Sequence, residues 1–171
     1  MNVTFELCGL NDLERLIKIS RITFSNAFKA DNNPKDFKIY LNKAFSKEAL
    51  LKELKDENSA FYFVFLKNDL AGYFKVNEFG AQSDIKDNDG FELERIYILK
   101  SYQRKQIGLK VLSKVYALAK QKSKTYIWLG VWEKNQKAIL WYKRNNFKKF
   151  GTHPFFIGAD EQTDWLMQKE L

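Results

Sequence analysis

A short segment between Gln103 and Gly108 contains the residue types that bind a phosphate. A strand is expected before it and a helix from about Gln106, so the segment lies at a helix N-terminus, where free backbone N–H groups and a partial positive charge attract anions. Gly108 lets the backbone approach closely, and Arg104 and Lys105 add charged donors. The glycines of a Walker loop or a dinucleotide fingerprint are missing. At this point a capped helix with a solvated basic face remains an alternative.

The net charge of +8 is concentrated next to this segment. Residues 100–124 include eight basic and no acidic residues, and the other 21 basic residues balance the 21 acidic ones. An acidic stretch with a single lysine comes directly before: Asp84, Asp87, Asp89, Glu92 and Glu94. The pattern predicts one compact polyanion beside a site that accepts a cation. Nucleic acid is not favoured as the main partner, because its contacts would spread the charge and no helix-turn-helix is readable.

The strand expected over residues 91–99 carries two of these carboxylates. Side chains alternate along a strand. One face would therefore hold Glu92, Glu94, Ile96 and Ile98, and the other Leu93, Arg95 and Tyr97. The helix that follows has a continuous apolar stripe from Ile107 to Ala119, which predicts that it packs against the sheet.

Patterns along the rest of the chain predict a mixed α/β domain built on a largely antiparallel sheet. Helices are expected from Asn11 or Asp12, from Pro34 and from Ser46, and a short one over residues 135–145. Further strands are expected over residues 3–7, 60–66, 70–79, 125–131, 147–157 and 163–171. No repeat or linker divides the chain, so residues 1–171 form one expected domain, and the polar loop over residues 80–90 is expected to be mobile.

Composition excludes several classes of protein. Cys8 and His153 are the single cysteine and the single histidine, too few for a zinc site or a disulfide, so no metal is expected. The longest apolar run, over residues 60–66, is far below the ~20 residues of a membrane span. The N-terminus also lacks a basic region followed by an apolar one. These features predict a cytoplasmic protein without a membrane partner.

The segment and the residues downstream resemble the GCN5-related N-acetyltransferase (GNAT) superfamily. Gln103 and Gly108 match the first and last positions of the family's acetyl-CoA motif, whereas Gln106 stands where the family usually has glycine. The spacing of the family's cofactor asparagine and catalytic tyrosine is reproduced by Asn135 and Tyr142. Asn146 and Phe147 occupy its usual Gly-Phe, and asparagine is the residue that best replaces glycine in a left-handed helix cap.

A narrower resemblance is to the PaiA-type polyamine (spermidine/spermine) N-acetyltransferases. It rests on residues 128–133, which precede Asn135, and on a set of single residues near the C-terminus: Gly151, His153, Phe155, Gly158, Gln162, Asp164 and Met167. The resemblance implies transfer of an acetyl group from acetyl-CoA to a primary amine such as spermidine. The alternatives are a protein N-terminus, a lysine or another small amine as acceptor, or a regulatory protein with the same fold.

The resemblance also implies a GNAT fold of about seven strands, in which two parallel central strands splay apart and the cofactor adds to one of them. Backbone groups of Ile96, Tyr97 and Ile98 would contact acetyl-CoA. The pyrophosphate would lie on the N–H groups of Gln103, Arg104, Lys105, Gln106, Ile107 and Gly108. Asn135 would hold the pantetheine arm, cap the next helix, or do both. Lys143 would reach a cofactor phosphate, or be an ordinary solvated lysine.

The implied reaction is attack of an amine on the thioester, which requires a proton to leave the amine. By its motif position Tyr142 would protonate the departing thiolate. Glu92 and Glu94 are both candidates for the base, with Glu94 slightly preferred, and water alone is the alternative. The carboxylates near the acceptor would bind a small cationic amine. Exposed aromatic side chains expected at Phe155, Phe156 and Trp165 suit a homodimer contact or an acceptor groove.

Overall fold

The computed structural model describes residues 2–171. It contains seven strands and five α-helices. In chain order they are β1 (Val3–Leu7), α1 (Leu13–Phe28), α2 (Pro34–Ala44), α3 (Lys47–Leu54), β2 (Ser59–Leu66), β3 (Asp69–Asn77), β4 (Gly90–Ile98), α4 (Ile107–Gln121), β5 (Tyr126–Trp132), α5 (Gln136–Arg144), β6 (Lys148–Ile157) and β7 (Asp160–Glu170).

The seven strands form one sheet in the order β1-β2-β3-β4-β5-β7-β6. Every neighbouring pair is antiparallel except β4 and β5, which are parallel. The expected mixed α/β architecture with a mostly antiparallel sheet of seven strands is therefore confirmed.

The two parallel strands part soon after they begin. Their pairing covers Gly90 with Tyr126, Phe91 with Ile127 and Glu92 with Trp128 and then ends. Beyond that point β4 pairs only with β3, and β5 only with β7. The second half of β4 thus has backbone groups without a strand partner on the β5 side, and a wedge-shaped opening separates the two strands.

Helices cover both faces of the sheet. One core packs α1, α2 and α3 against the sheet and includes Leu16, Phe24 and Phe61. The other packs α4 and α5 against the opposite face and includes Val111, Val115 and Ile127. The apolar stripe predicted for α4 is buried as expected.

The predicted face assignment of β4 is wrong, because the strand contains a β-bulge. Val76 pairs with Leu93 and Lys75 with Arg95, so Glu94 is an extra residue without an opposite partner. Leu93 and Ile96 consequently lie in the same core, on the α4 side, while Tyr97 faces the other core. The bulge reverses the alternation halfway along the strand. Simple alternation cannot reveal such an insertion.

The C-terminal end of α5 has the left-handed cap predicted from Asn146. This residue has φ 67°. The Asn146 N–H donates to the Lys143 carbonyl at 3.0 Å and the Phe147 N–H to the Tyr142 carbonyl at 3.1 Å. These two bonds are those of a Schellman motif. The cap turns the chain so that Phe147 packs 5.5 Å from the Tyr142 ring, which fixes that ring from one side.

Among residues 2–171, no helix has both the length and the apolar character that a membrane span would need.

Candidate functional site

A cavity of about 270 Å³ lies in the opening between β4 and β5. It reaches both faces of the sheet, since its walls include Phe24 of α1 and Tyr40 of α2 as well as Ala138 and Tyr142 of α5. Two reactants could therefore enter from opposite faces and meet where the strands part. A cavity at such a strand divergence is a usual place for a ligand site.

Glu92 lies where the parallel pairing ends and lines this cavity. It is only 1% exposed. Asn77 Nδ2 and the Ser83 N–H each donate to Glu92 Oε2 at 2.8 Å, and the Ser83 hydroxyl donates to Oε1. Burial and the nearby Glu94 raise the pKa of Glu92, although these hydrogen bonds oppose the rise. A carboxylate with a raised pKa can accept a proton and keep it long enough for a reaction.

Glu94 occupies a different environment, although it also lines the cavity. Lys75 Nζ contacts Glu94 Oε2, and Arg95 Nη2 lies 2.9 Å from Glu94 Oε1. Both cations also contact Glu53, whose carboxylate oxygens lie 2.9 Å from Lys75 and 3.0 Å from Arg95. Burial alone would raise the pKa of Glu94, but Arg95 and Lys75 outweigh it and lower the pKa to about 2. An ion-paired carboxylate of this kind is a poor proton acceptor.

Tyr142 is 7% exposed and lines the cavity from the α5 side. Its ring is held between Trp141, at 5.0 Å between centroids, and Phe147. Burial raises the pKa of Tyr142 well above its usual range, so the phenol keeps its proton at neutral pH. The residue is both a core aromatic and a possible proton donor, and the two roles are compatible.

A histidine between two aspartates forms another wall of the cavity. Asp84 Oδ2 lies 3.0 Å from His153 Nδ1, and Asp164 Oδ2 lies 3.8 Å from His153 Nε2. Asp164 and, more weakly, Asp84 raise the pKa of His153, against an opposing effect of burial. The other oxygen of Asp164, Oδ1, is buried without a hydrogen-bond partner. Such an oxygen is available to accept a hydrogen bond from a donor group of a ligand.

The predicted phosphate-binding turn lies beyond the end of β4 and outside the cavity wall. Gln106 has φ 55° and Arg104 has φ 60°, both in the left-handed region that favours glycine. The glycine usual in the family at position 106 is thus explained by the backbone, and glutamine adopts the same conformation at a cost of about 1 kcal/mol. The first turn of α4 has neither an acidic residue nor a side-chain cap, so its free N–H groups remain available to an anion.

The remaining residues of the turn support its shape. Gln103 Nε2 donates to the Ile98 carbonyl at 2.9 Å and so ties the turn to the end of β4. A Cβ on Gly108 would lie 2.9 Å from Trp141 Cζ2. Gly108 therefore gives room to the Trp141 ring of α5, a close approach that the sequence did not reveal. Ile107 is buried and anchors the helix in the core.

The basic segment does not gather all its charge at this turn, contrary to the sequence-based expectation. α4 spans Ile107–Gln121 and is about 22 Å long, so its C-terminal lysines lie far from the turn. There Lys122 and Lys124 both pair with Glu78, and Lys124 also donates to the Asn88 carbonyl at 2.7 Å. Arg104 and Lys105 are the exposed cations on the turn itself.

Three of the other predicted cofactor positions face the cavity. Ile96 and Tyr97 line it from the unpaired half of β4, and Ile98 ends that strand. Asn135 also lines it, and its Oδ1 accepts from the Ala138 N–H at 3.2 Å, so it caps α5. Lys143 is exposed on the far side of α5, with its Nζ 5.2 Å from the Trp165 ring centroid, and does not face the cavity.

The loop before β4 was expected to be mobile but is held by buried hydrogen bonds. Gln82 is 1% exposed. Its Oε1 accepts from Trp128 Nε1 at 2.6 Å and its Nε2 donates to the Asp87 carbonyl at 2.8 Å. The loop thereby brings Ser83 to the cavity wall and Asp84 into contact with His153. The only signal in the sequence for such an anchor is Gln82, a polar residue within a stretch that otherwise reads as solvated.

The aromatic residues near the C-terminus are less exposed than expected. Phe155 lines the cavity and packs 5.7 Å from the Tyr40 ring, while Trp165 is half-buried beneath Lys149. Phe156, at 51% exposure, is the one of the three that faces solvent. Phe155 therefore belongs to the cavity, with the aromatic side chains of α1 and α2 that sequence analysis did not assign to a site.

Comparison with known proteins supports an acetyl-transfer site. The sequence model of the acetyltransferase (GNAT) family matches residues 17–147. An uncharacterized N-acetyltransferase of Lactobacillus delbrueckii subsp. lactis is 38% identical over 160 residues, which cover 94% of this chain and 92% of that protein. A spermidine N(1)-acetyltransferase of Thermoplasma acidophilum is 23% identical over 174 residues, which cover 99% of this chain and 98% of that protein.

Solved structures share the fold. The crystal structure of PaiA N-acetyltransferase from Thermoplasma acidophilum in complex with coenzyme A superposes with a TM-score of 0.79 at 22% identity, over 100% of both chains. A probable acetyltransferase from Staphylococcus epidermidis gives a TM-score of 0.76 at 13% identity over 99% of both chains. At these identities the superpositions show a shared architecture.

Proposed function

The chain belongs to the acetyltransferase (GNAT) family, and we propose that within it this N-acetyltransferase modifies a polyamine. The transfer of acetyl from acetyl-CoA to an amine is the activity of the family. The observation that supports a polycationic acceptor is the buried, unpartnered Oδ1 of Asp164 in the cavity wall, together with the Glu92 carboxylate in the same cavity.

Acetyl-CoA would lie along the unpaired half of β4. Ile96, Tyr97 and Ile98 offer backbone groups there, at the edge where β5 has separated. The pyrophosphate would accept hydrogen bonds from the uncapped start of α4, with Arg104 and Lys105 supplying charge. Acetyl-CoA supplies the thioester whose carbonyl carbon is attacked. Asn135 would hold the pantetheine arm while it continues to cap α5.

Glu92 is the residue proposed to accept the proton of the acceptor ammonium. Only the deprotonated amine has the lone pair that forms the new C–N bond as the C–S bond breaks. Glu92 suits this role better than Glu94, because its pKa is raised whereas ion pairs hold that of Glu94 at about 2. Tyr142, whose phenol stays protonated, would give its proton to the departing thiolate.

A polyamine carries several positive charges, and the acceptor side of the cavity offers carboxylates at separate points. Glu92 would receive the reacting nitrogen. Asp164 would bind a second ammonium through the oxygen that has no partner in the protein. Asp84 acts on this side of the cavity only by contacting His153. Asp160 and Glu161 are exposed and lie outside the cavity wall.

A thiol-release assay with acetyl-CoA and a panel of spermidine, spermine, monoamines and short peptides tests this proposal. We expect turnover with the polyamines, and a KM for spermidine that rises about tenfold in Asp164→Asn because one charge-assisted hydrogen bond is lost. The KM for a monoamine should change little. Glu161→Gln, an exposed acid on the same hairpin, is the matched control and should behave as the unmodified protein. Turnover confined to peptides would reject the polyamine acceptor.

A further inference from the structure

The loop before β4 contains a serine in direct contact with the proposed base. The Ser83 N–H donates to Glu92 Oε2 at 2.8 Å, and the Ser83 hydroxyl donates to the other oxygen, Oε1. Ser83 also lines the same cavity as Glu92. One residue thus contacts both oxygens of the carboxylate and orients it.

Because Glu92 is buried, the proton that it accepts needs a route to solvent, and the contact with Ser83 provides one. Glu92 is 1% exposed, whereas Ser83 is an exposed residue at the surface of the loop. A carboxylate that takes a proton from each amine must return it to solvent before the next turnover. The other hydrogen-bond donor to Glu92 is Asn77, itself 1% exposed and bonded to Ser59 and Glu94, so it offers no route to water. Ser83 is the exposed one of the two donors, so its hydroxyl is the group that connects the carboxylate with solvent.

The position of Ser83 is set by its two neighbours in the chain. Gln82 is bound beneath the loop by Trp128 Nε1, which donates at 2.6 Å. On the other side Asp84 contacts His153 Nδ1 at 3.0 Å. Ser83 is therefore held from both sides in a loop that sequence composition would assign to solvent. This arrangement keeps the hydroxyl of the short Ser83 side chain in contact with Glu92.

We propose that Ser83 orients the Glu92 carboxylate and passes the proton that Glu92 has accepted to solvent. Once Glu92 is protonated, the Ser83 hydroxyl turns so that its oxygen accepts a hydrogen bond from Glu92 Oε1–H and its own proton points to water. In the transfer the Glu92 Oε1–H bond breaks and a new O–H bond forms on Ser83, while the original hydroxyl proton of Ser83 leaves to water. Glu92 returns to a carboxylate and Ser83 to a neutral hydroxyl, so charge and protons balance. The inference rests on the proposed role of Glu92 as base.

The pH dependence of kcat/KM distinguishes this role from a structural one. The hydrogen bond from the Ser83 hydroxyl favours the charged form of Glu92, so its removal in Ser83→Ala should move the acid limb to higher pH by about one pH unit. We also expect kcat to fall about tenfold, less than the roughly 100-fold or more that a general acid or base itself contributes, because Ser83 relays the proton and does not take it from the amine. Ser83→Thr keeps the hydroxyl and should retain both the limb and kcat.

Other groups around Glu92 are unchanged in both serine variants. The charged or titratable side chains that share its cavity or lie directly behind it are Glu94, Arg95 and Tyr97 on β4, Lys75 on β3, Tyr40 on α2, Tyr142 on α5, His153 on β6 and Asp164 on β7, and Asp84 of the loop contacts His153. Because none of them is substituted, a shift specific to Ser83→Ala reports the lost hydroxyl. Unchanged thermal unfolding and acetyl-CoA binding would verify that this exposed position tolerates the change.

Glu92→Gln in the same assay separates the two hypotheses. If Glu92→Gln turns over as fast as the unmodified protein with the same acid limb, Glu92 is not the base and the inference about Ser83 fails with it. If Glu92→Gln is slow but Ser83→Ala matches the unmodified protein, the base assignment stands and the role of Ser83 is wrong. Equal impairment of Ser83→Ala and Ser83→Thr would also overturn it.

Discussion

At the scale of single residues, Tyr142 combines a packing role with an available proton. Its ring contacts Trp141 and Phe147, and its burial raises the pKa of the phenol. The same apolar surroundings that stabilise the helix therefore keep the phenol protonated where the thiolate would leave. Desolvation is thus the common cause of the packing and of the protonated state of the phenol.

Tyr142→Phe separates these two contributions. The variant keeps the ring and loses the hydroxyl, so we expect kcat to fall about 100-fold while the Kd for acetyl-CoA and the thermal stability change little. Steady-state kinetics and calorimetric binding of acetyl-CoA provide the two measurements. An unchanged kcat would show that the thiolate leaves without a proton from this residue.

The contrast between Glu92 and Glu94 is also a residue-scale result. The two side chains are two positions apart, and both accept from Asn77 Nδ2, at 2.8 Å and 2.6 Å. Burial and the nearby Glu94 nevertheless raise the pKa of Glu92, whereas Arg95 and Lys75 outweigh burial and lower the pKa of Glu94. Groups whose environments separate their pKa values in this way take different roles, one in proton transfer and one in structure.

At the scale of elements, Glu94 belongs to a charge network that joins α3, β3 and β4. Glu53 and Glu94 face Lys75 and Arg95, with the Arg95 guanidinium carbon 5.5 Å from the Phe45 ring centroid and 5.8 Å from that of Phe61. Two carboxylates balance two cations in a half-buried setting. Removing one member leaves a charge without compensation.

Glu94→Gln should therefore destabilise the fold by about 3 kcal/mol at pH 7. The pKa of Glu94 is lowered from 4.5 to about 2 in the folded protein, so its contribution is complete above pH 4.5 and is lost as the pH falls towards 2. Urea unfolding at several pH values should show the difference between variant and unmodified protein shrinking in that range.

A matched control for this prediction is Glu57→Gln, an exposed glutamate just after α3. It should change the unfolding free energy by less than about 0.5 kcal/mol at every pH. A Glu94→Gln variant as stable as this control at pH 7 would contradict the role of the network. The acid limb of catalysis should persist in Glu94→Gln and move slightly to lower pH, because Glu94 raises the pKa of Glu92.

At the scale of the whole molecule, the eight basic residues that account for the net charge of +8 are spread from Lys100 to Lys124, along α4 and beyond both of its ends. Lys122 and Lys124 at the C-terminal end contact Glu78, whereas Arg104 and Lys105 at the N-terminal end are exposed beside free N–H groups. Only the second group can contribute directly to binding an anionic cofactor. Exposed charges of this kind act through an electrostatic field, and dissolved salt screens that field.

The Kd for acetyl-CoA should thus increase with ionic strength, and the double variant Arg104→Gln with Lys105→Gln should bind about tenfold more weakly at low salt and show a flatter salt dependence. Lys122→Gln, a change of one charge at the other end of the helix, serves as the control and should retain the full salt dependence. Calorimetric titration between low and high salt gives both quantities. Equal slopes for all three proteins would contradict the prediction.

The sequence by itself determined the order of the elements, the family and the left-handed cap at Asn146, and it located the turn that we propose to bind a phosphate. These features depend on local patterns: side-chain periodicity, helix caps and backbone conformations that particular residues favour. The positions of Asn135 and Tyr142 follow from the same local spacing, since Asn135 caps the short helix that contains Tyr142, next to the cavity.

Only the tertiary structure decided which glutamate faces which charges. The bulge at Glu94 depends on pairing with β3, and the ion pairs of Glu94 come from residues as distant as Glu53. Ser83 approaches Glu92 because Gln82 binds a tryptophan on β5. Side-chain alternation along one strand contains no information about contacts between distant segments, and the pKa of a buried carboxylate is set by those contacts.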